Sequence, residues 1–236
     1  SKESGALQHV YAITFPQNES VRMYSTILKP YDSGFYIAAL IYVDGKYYVM
    51  VAKVLNDLTI EWANAYELEV IAPLFDAEIV GNKLFITGYE SGDSAFIMGI
   101  DGTSGQLLFF KVFLGGNHYT LAGLDIDYYG GKLYVYGAEY NSSEESDYDT
   151  FIAVFDLNGN LEDYSVIGRS WEDTPLGEGV LPSKGLLVEN GEYVLASMGW
   201  SADYTEQYAY IAKFPWNFEG RFVWENSEEE EFEVRS

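Results

Sequence analysis

The chain has 236 residues, 48% of them apolar, enough for a sizeable core, and its 37 Asp and Glu against 13 Lys and Arg give a formal charge of −24. A field of that sign repels nucleic acid and anionic lipid and favours cations or basic partners, with solubility as its plainest role. Without cysteine there are no disulfides, thiolate nucleophiles, zinc–thiolate sites or iron–sulfur clusters, and no run approaches the ~18 apolar residues of a membrane span.

Residues Ser1–Gly5 show no signal-peptide pattern, and a chain opening without Met is expected to be a processed or trimmed product. Two sequons, Asn18-Glu-Ser20 and Asn141-Ser-Ser143, suit a secreted or cell-envelope glycoprotein, and that location is expected.

Taken in chain order, one pattern returns five times: an apolar strand, a tight polar turn and an aromatic strand. The first copy is Tyr11–Phe15, the turn Pro16–Glu19 and a strand carrying Tyr24. Next come a weak apolar stretch at Ile27–Tyr31, the turn Ser33-Gly34, a strand Gly34–Ala39, then Met50–Val54, Asn56-Asp57 and a strand with Trp62. The third unit runs Ala77–Val80, Gly81-Asn82, Lys83–Gly88, Phe96–Ile100, Asp101–Gly105 and Phe109. The fourth runs Leu124–Tyr129, Gly130-Gly131, Lys132–Gly137, Phe151–Phe155, Asp156–Asn160 and Tyr164. The last runs Gly185–Glu189, Asn190-Gly191, Glu192–Ser197, Tyr210–Phe214, Pro215–Gly220 and Trp224.

These runs are short, rich in Val, Ile, Tyr and Phe, and bounded by Gly and Asn, which predicts strands joined by tight hairpins. The second strand of each unit recurs from Phe35 to Leu84, Leu133 and Tyr193, at intervals of 49, 49 and 60 residues. Four antiparallel strands, a to d, every ~40–50 residues is the repeat of a β-propeller blade. The expectation is one all-β domain over 1–236, a β-propeller of four-stranded antiparallel blades. Its units are 8–28 (half), 29–69, 70–116, 117–168 and 169–226, with 227–236 as acidic tail or closing strand. Eighteen strands result, and five blades are expected, the closing one shared by both termini or short of strands. Trp62, Phe109, Tyr164 and Trp224 are expected at equivalent d-strand positions, packed between blades.

The runs Gly130-Gly-Lys-Leu-Tyr-Val-Tyr-Gly137 and Phe151-Ile-Ala-Val-Phe-Asp-Leu-Asn-Gly-Asn160 resemble blade repeats of bacterial and archaeal β-propeller repeat proteins of the SBBP type. Gly99-Ile-Asp-Gly-Thr-Ser-Gly-Gln-Leu-Leu108 resembles the strand-turn-strand of quinoprotein-like propellers. The likeness covers nearly the whole chain and implies blade packing. The quinoprotein tryptophan motif is incomplete, with Phe109 and Tyr164 in the middle repeats, so it implies no quinone site.

Strand order a–b–c–d puts the a–b and c–d turns on one face of the ring and the b–c and d–a loops on the other. The longer connections, 67–76, 115–123, 139–149, 168–184 and 200–208, all belong to the second face, where long loops favour function. Candidate ligand-binding residues there are Tyr119, Tyr140, Tyr148, Trp171, Trp200, Tyr204 and His118, since aromatic plates among carboxylates suit sugar rings. A glycoside hydrolase instead needs two carboxyls ~5–9.5 Å apart. Asp76, Asp125 and Glu178 are the candidates, Asp76 and Asp125 aligning within their repeats. His118 has no Gly-x-Ser-x-Gly elbow beside it, and with His9 the only other histidine, a hydrolase triad and a transition-metal site are both disfavoured. Calcium suits the hard oxygens of Glu144–Asp149, with Glu145, Asp147 and Asp149 as ligands, or of Asp101–Ser104, although neither has EF-hand spacing; no other cofactor is expected.

The function expected is a non-catalytic binding or scaffold module whose glycan or protein partner meets the long-loop face. The alternatives are a propeller glycoside hydrolase or related carbohydrate-active enzyme, and a structural repeat domain of a larger surface protein.

Overall fold

The computed structural model describes residues 21–68, 72–90, 94–113, 119–141, 147–168, 186–189, 192–200, 207–215 and 222–223. All the regular structure among them is strand. The first sheet joins β1 (Val21–Tyr31), β2 (Gly34–Val43), β3 (Lys46–Leu55) and β4 (Ile60–Leu68) in sequence order. The second joins β5 (Leu74–Val80), β6 (Lys83–Glu90), β7 (Ser94–Asp101) and β8 (Leu107–Phe113) likewise. The third holds β9 (Tyr119–Tyr129), β10 (Lys132–Asn141), β11 (Asp147–Phe155) and β12 (Leu161–Gly168), and the fourth β13 (Leu186–Glu189), β14 (Glu192–Trp200) and β15 (Gln207–Pro215). Every one of these neighbouring pairs is antiparallel.

The first strand of each sheet lies against the first strand of the next: β1 on β5, β5 on β9, β9 on β13. Successive blades of a propeller stand in this radial order. The core lies between the sheets. Tyr36, Leu40, Val49 and Val51 of the first pack on Leu84, Ile86, Phe96, Met98 and Ile100 of the second. Phe85, Ile97 and Phe113 of the second pack on Leu133, Val135, Phe151 and Phe155 of the third. Strand β6 therefore sends Leu84 and Ile86 one way and Phe85 the other, all fully buried. Burial on both faces explains why it reads as a continuous apolar run rather than an alternation.

The c–d turns lock the seams. Among the described residues three of these turns are closed by an aspartate that accepts backbone N–H groups: Asp57 from Thr59 (2.9 Å), Asp101 from Thr103 and Ser104 (2.9 and 2.8 Å), Asp156 from Asn158 and Asn160 (both 2.8 Å). The turn at Asp101 then docks on the sheet before it. Gly102 O accepts from Trp62 Nε1 (3.1 Å) and Tyr36 OH (3.3 Å), and Gly105 O from Asn64 Nδ2 (2.8 Å) and Tyr66 OH. At the next seam Lys111 Nζ reaches Asn160 Oδ1 at 2.8 Å and Lys83 Nζ reaches Leu157 O at 3.3 Å. Gly105 and Gly159 have φ of 70° and 71°, and a Cβ would stand 2.7 Å from the Trp62 ring on the first and 2.4 Å from the Phe109 ring on the second. Only glycine meets both demands.

Three details differ from the sequence reading. Tyr24 lies on the same strand as Ile27–Tyr31, since β1 pairs with β2 from Val21 to Tyr31 through one bulge at Tyr24, and no separate outer strand carries it. Trp62 and Phe109 are equivalent, pairing with Lys53 and Gly99 just past a bulge, but Tyr164 is one residue further along and matches Phe110. The ring contacts agree: Phe110 stacks on Phe96 at 5.1 Å and Tyr164 on Phe151 at 5.6 Å. Finally, β16 (Phe222–Val223) pairs parallel with β12 of the third sheet rather than extending β15. The expected strand at Tyr11–Phe15 and Trp224 lie outside the described residues.

Full burial would put the cost of Phe109→Ala at ~3–5 kcal/mol, but Phe109 is half-buried. Chemical denaturation of Phe109→Ala is expected to show a loss of about 2 kcal/mol. Gly159→Ala should destabilise the native chain and cost roughly 1 kcal/mol less in the Phe109→Ala background, where the colliding ring is gone. Additive losses would mean the ring and the turn do not touch.

Candidate functional site

Two ends of the sheets are chemically distinct. At one end stand the a–b and c–d turns, where aspartates serve the backbone. Asp101 Oδ1 also takes Ser104 Oγ at 3.0 Å, so the carboxylate offered for calcium at Asp101–Ser104 is committed to its own turn. Those hydrogen bonds hold Asp101 below the usual carboxylate range, and the Asn160 and Asn158 N–H groups bring Asp156 down to about 2.

At the other end the loops are shorter than their sequence suggests, because alternating polar and aromatic residues continue the strands. Glu139 and Tyr140 belong to β10, Asp147, Tyr148 and Asp149 to β11, Tyr119 to β9 and Trp200 to β14. In the first sheet the b–c connection is only Asp44-Gly45. Register pairs two of the aromatic candidates and leaves a third, Tyr119, at the same sheet end one position out of step. Tyr148 pairs with Tyr140, Tyr140 with Thr120, and Asn141 with both Tyr119 and Asp147. Tyr148 sits at the start of β11 and Asn158-Gly159 follow its end, so the two lie at opposite ends of the sheet. Trp200 ends β14, opposite Gln207. His118, Trp171, Tyr204, Glu178, Glu144, Glu145 and His9 lie outside the described residues. Among the described residues no three His, Asp or Glu side chains gather as a metal cage.

The inner strands bring Asp76 and Asp125 together. Both follow a bulge, at Phe75 in β5 and Leu124 in β9, and the 49-residue repeat relates bulge to bulge and aspartate to aspartate. A bulge adds a residue, twists the strand and re-aims the side chain after it. Here Ile126 N–H donates to Asp125 Oδ1 at 3.1 Å and approaches Asp76 Oδ2 at 3.4 Å. Burial, then the hydrogen bond and charge of Asp125, push Asp76 up to about 7 against the opposing Ala77 N–H and Lys29. Two residues along, Lys29 of β1 and Glu78 of β5 form an ion pair at 2.6 Å. The strand edges facing one another across these sheets are thus polar and mainly acidic. The two carboxyls touch through a hydrogen bond, whereas glycoside hydrolysis needs them ~5–9.5 Å apart.

The 49-residue alignment was the signal that found this pair. Tyr36, Asn64 and Tyr66, which hold the neighbouring turn, had no local signal, because their partners lie 66, 41 and 39 residues away.

A carboxyl with a raised native pKa binds a proton that the unfolded chain has already released between about pH 4 and pH 7, so its contribution to stability falls as pH rises through that window. Asp76→Asn removes that dependence. Melting temperatures from pH 4 to 8 should show the variant gaining on the native chain as pH rises, and parallel curves would contradict the buried, hydrogen-bonded placement of Asp76. Asp156 acts oppositely: its stabilisation is full above the ordinary carboxylate range and is lost as pH falls towards 2.

No protein-family model and no curated protein matches the sequence. Among solved structures, the chain is similar to the GH43 BlXynB protein from Bacillus licheniformis, at 13% identity and TM-score 0.44 over 83% of this chain and 41% of that one. It is also similar to a subtype N10 neuraminidase-like protein from a little yellow-shouldered bat isolate, at 10% and 0.45 over 80% and 59%. A third is an exo-1,5-α-L-arabinanase from a bovine ruminal metagenomic library, at 13% and 0.44 over 86% and 80%. The chain spans less than two thirds of the length of the first two, and no functional residue is carried over from any of the three.

Proposed function

We propose that this chain is a non-catalytic binding module of a secreted or cell-surface protein, and that its ligand is a glycan met at the end of the sheets opposite the aspartate-closed turns. The observation that carries this reading is the register of β10 and β11, which pairs Tyr140 with Tyr148 at one sheet end, while Tyr119 of β9 stands beside Asn141 at the same end. Tyrosines offer apolar faces to sugar C–H groups and hydroxyls to sugar oxygens. Trp171, Trp200, Tyr204 and His118 extend the same surface in this proposal, and calcium at Glu145, Asp147 and Asp149 is the metal it accommodates.

The glycoside hydrolase reading is favoured by one specific feature, a carboxyl at Asp76 that burial and the neighbouring Asp125 push up to about 7. That reading requires the pair to separate around substrate, with Glu178 as the third acid.

Glycan-array binding by the native chain should weaken at least about tenfold in Tyr140→Ala, Tyr148→Ala and Trp171→Ala, as removal of central aromatic anchors does, with little change in melting temperature. Undiminished binding in all three removes this surface from consideration. Capture of a protein instead of a glycan, lost in the same variants, would change the ligand class and keep the surface. Hydrolysis of aryl glycosides that disappears in Asp76→Asn would replace the binding reading with the enzymatic one. Chelator that leaves the melting temperature unchanged would remove calcium, since an ion bound only to the native state must raise it.

A further inference from the structure

A cleft of about 380 Å³ opens between the first and second sheets at the short-turn end, away from the tyrosine surface. Tyr31, Asp32, Tyr36 and Lys53 line it on one side, Ile79 and Asn82 on the other. The Tyr31 hydroxyl is buried there without a hydrogen-bond partner, a condition that native interiors seldom tolerate without reason. The Tyr31 and Tyr36 rings are 5.0 Å apart and form an aromatic wall.

The local charge is negative. Lys53 Nζ is neutralised by Glu61 at 3.2 Å, and it already sits 5.3 Å from the centre of the Tyr31 ring, which shows that the ring face accepts a cation. Asp32 is exposed at the rim, and Asp101 lies in the turn that forms the far wall. Burial first, then the charges of Tyr31, Glu61 and Asp101, push the Tyr36 phenol up to about 12, so anionic forms are disfavoured here. Clefts of one sign concentrate ligands of the other.

We propose that this cleft is a second binding site, one that takes a primary ammonium or guanidinium group. Asp32 at the rim supplies the countercharge, and the tyrosine wall packs on the alkyl or guanidinium plane. The group arrives either as a free polyamine-like molecule or as an exposed Arg or Lys side chain of a protein.

The test is titration of the full chain with agmatine and, separately, with the peptide acetyl-Gly-Arg-Gly-amide, followed through the backbone amide resonances of Gly81, Asn82 and Thr103. Saturable shifts that weaken as salt rises are expected. Asp32→Asn should weaken binding about tenfold, the range for losing a charged hydrogen bond. Tyr31→Phe should melt no lower than the native chain, because the hydroxyl has no internal partner to lose. Lys53→Gln should tighten binding by leaving Glu61 uncompensated. Tighter binding of the peptide assigns the site to a protein side chain, and tighter binding of agmatine to a free amine. No saturable shift with either probe overturns the proposal, as does equal binding by Asp32→Asn or weaker binding by Lys53→Gln.

Discussion

Each described sheet up to the third has apolar residues on both faces, and a single four-stranded sheet cannot bury either of them alone. Everything else follows from that constraint. The layer of Leu84, Ile86, Phe96 and Met98 against Tyr36, Leu40 and Val51 exists only because two sheets meet. At ~25 cal/mol per Å² of apolar surface, such layers supply the main driving force for folding. The inner strands, the c–d turns and the acidic pair are all placed by how one sheet seats on the next.

The acidity of the chain takes on a more particular meaning in this light. Asp57, Asp101 and Asp156 close turns, Glu61, Glu67, Glu78 and Glu162 pair with lysines, and Asp76 and Asp125 meet between inner strands. The exposed pairs contribute little individually. The turn carboxylates matter more, because a misfolded turn would withdraw the Gly102 and Gly105 carbonyls from Trp62, Asn64 and Tyr66.

Much of this architecture was legible in the sequence, because strands and hairpin turns are written locally. Gly81-Asn82 and Gly130-Gly131 marked their hairpins, and the repeat interval carried Asp76 onto Asp125. What was not legible has identifiable causes. The bulge at Tyr24 lets one strand of 11 residues turn its pattern over midway, so β1 read as two pieces. The same bulge stands before Trp62, Phe109 and Asp163, so the place of Phe109 goes to Asp163 in the third sheet, and Tyr164, one residue on, resembles Phe109 only in being aromatic. Strand extensions such as Asp147-Tyr-Asp149 alternate polar and aromatic residues as a surface loop also can, so only their pairing with β10 distinguishes them. Of the site residues, the inner-strand aspartates were readable because repetition placed them. The aromatic surface was readable in composition alone, since ligand recognition leaves no periodic trace.

The grip of Trp62 on the Gly102–Gly105 turn has a direction. The clasping ring belongs to the earlier sheet and the clasped turn to the later one, and Phe109 repeats the relation on Gly159. A ribosome delivers the chain in that same order, and domains generally assemble from the N-terminus as they emerge. Each new turn therefore leaves the exit tunnel after its cradle has been made, and the apolar face that waits for the next sheet is exposed only for the time needed to synthesise about 50 residues, a few seconds at cellular elongation rates.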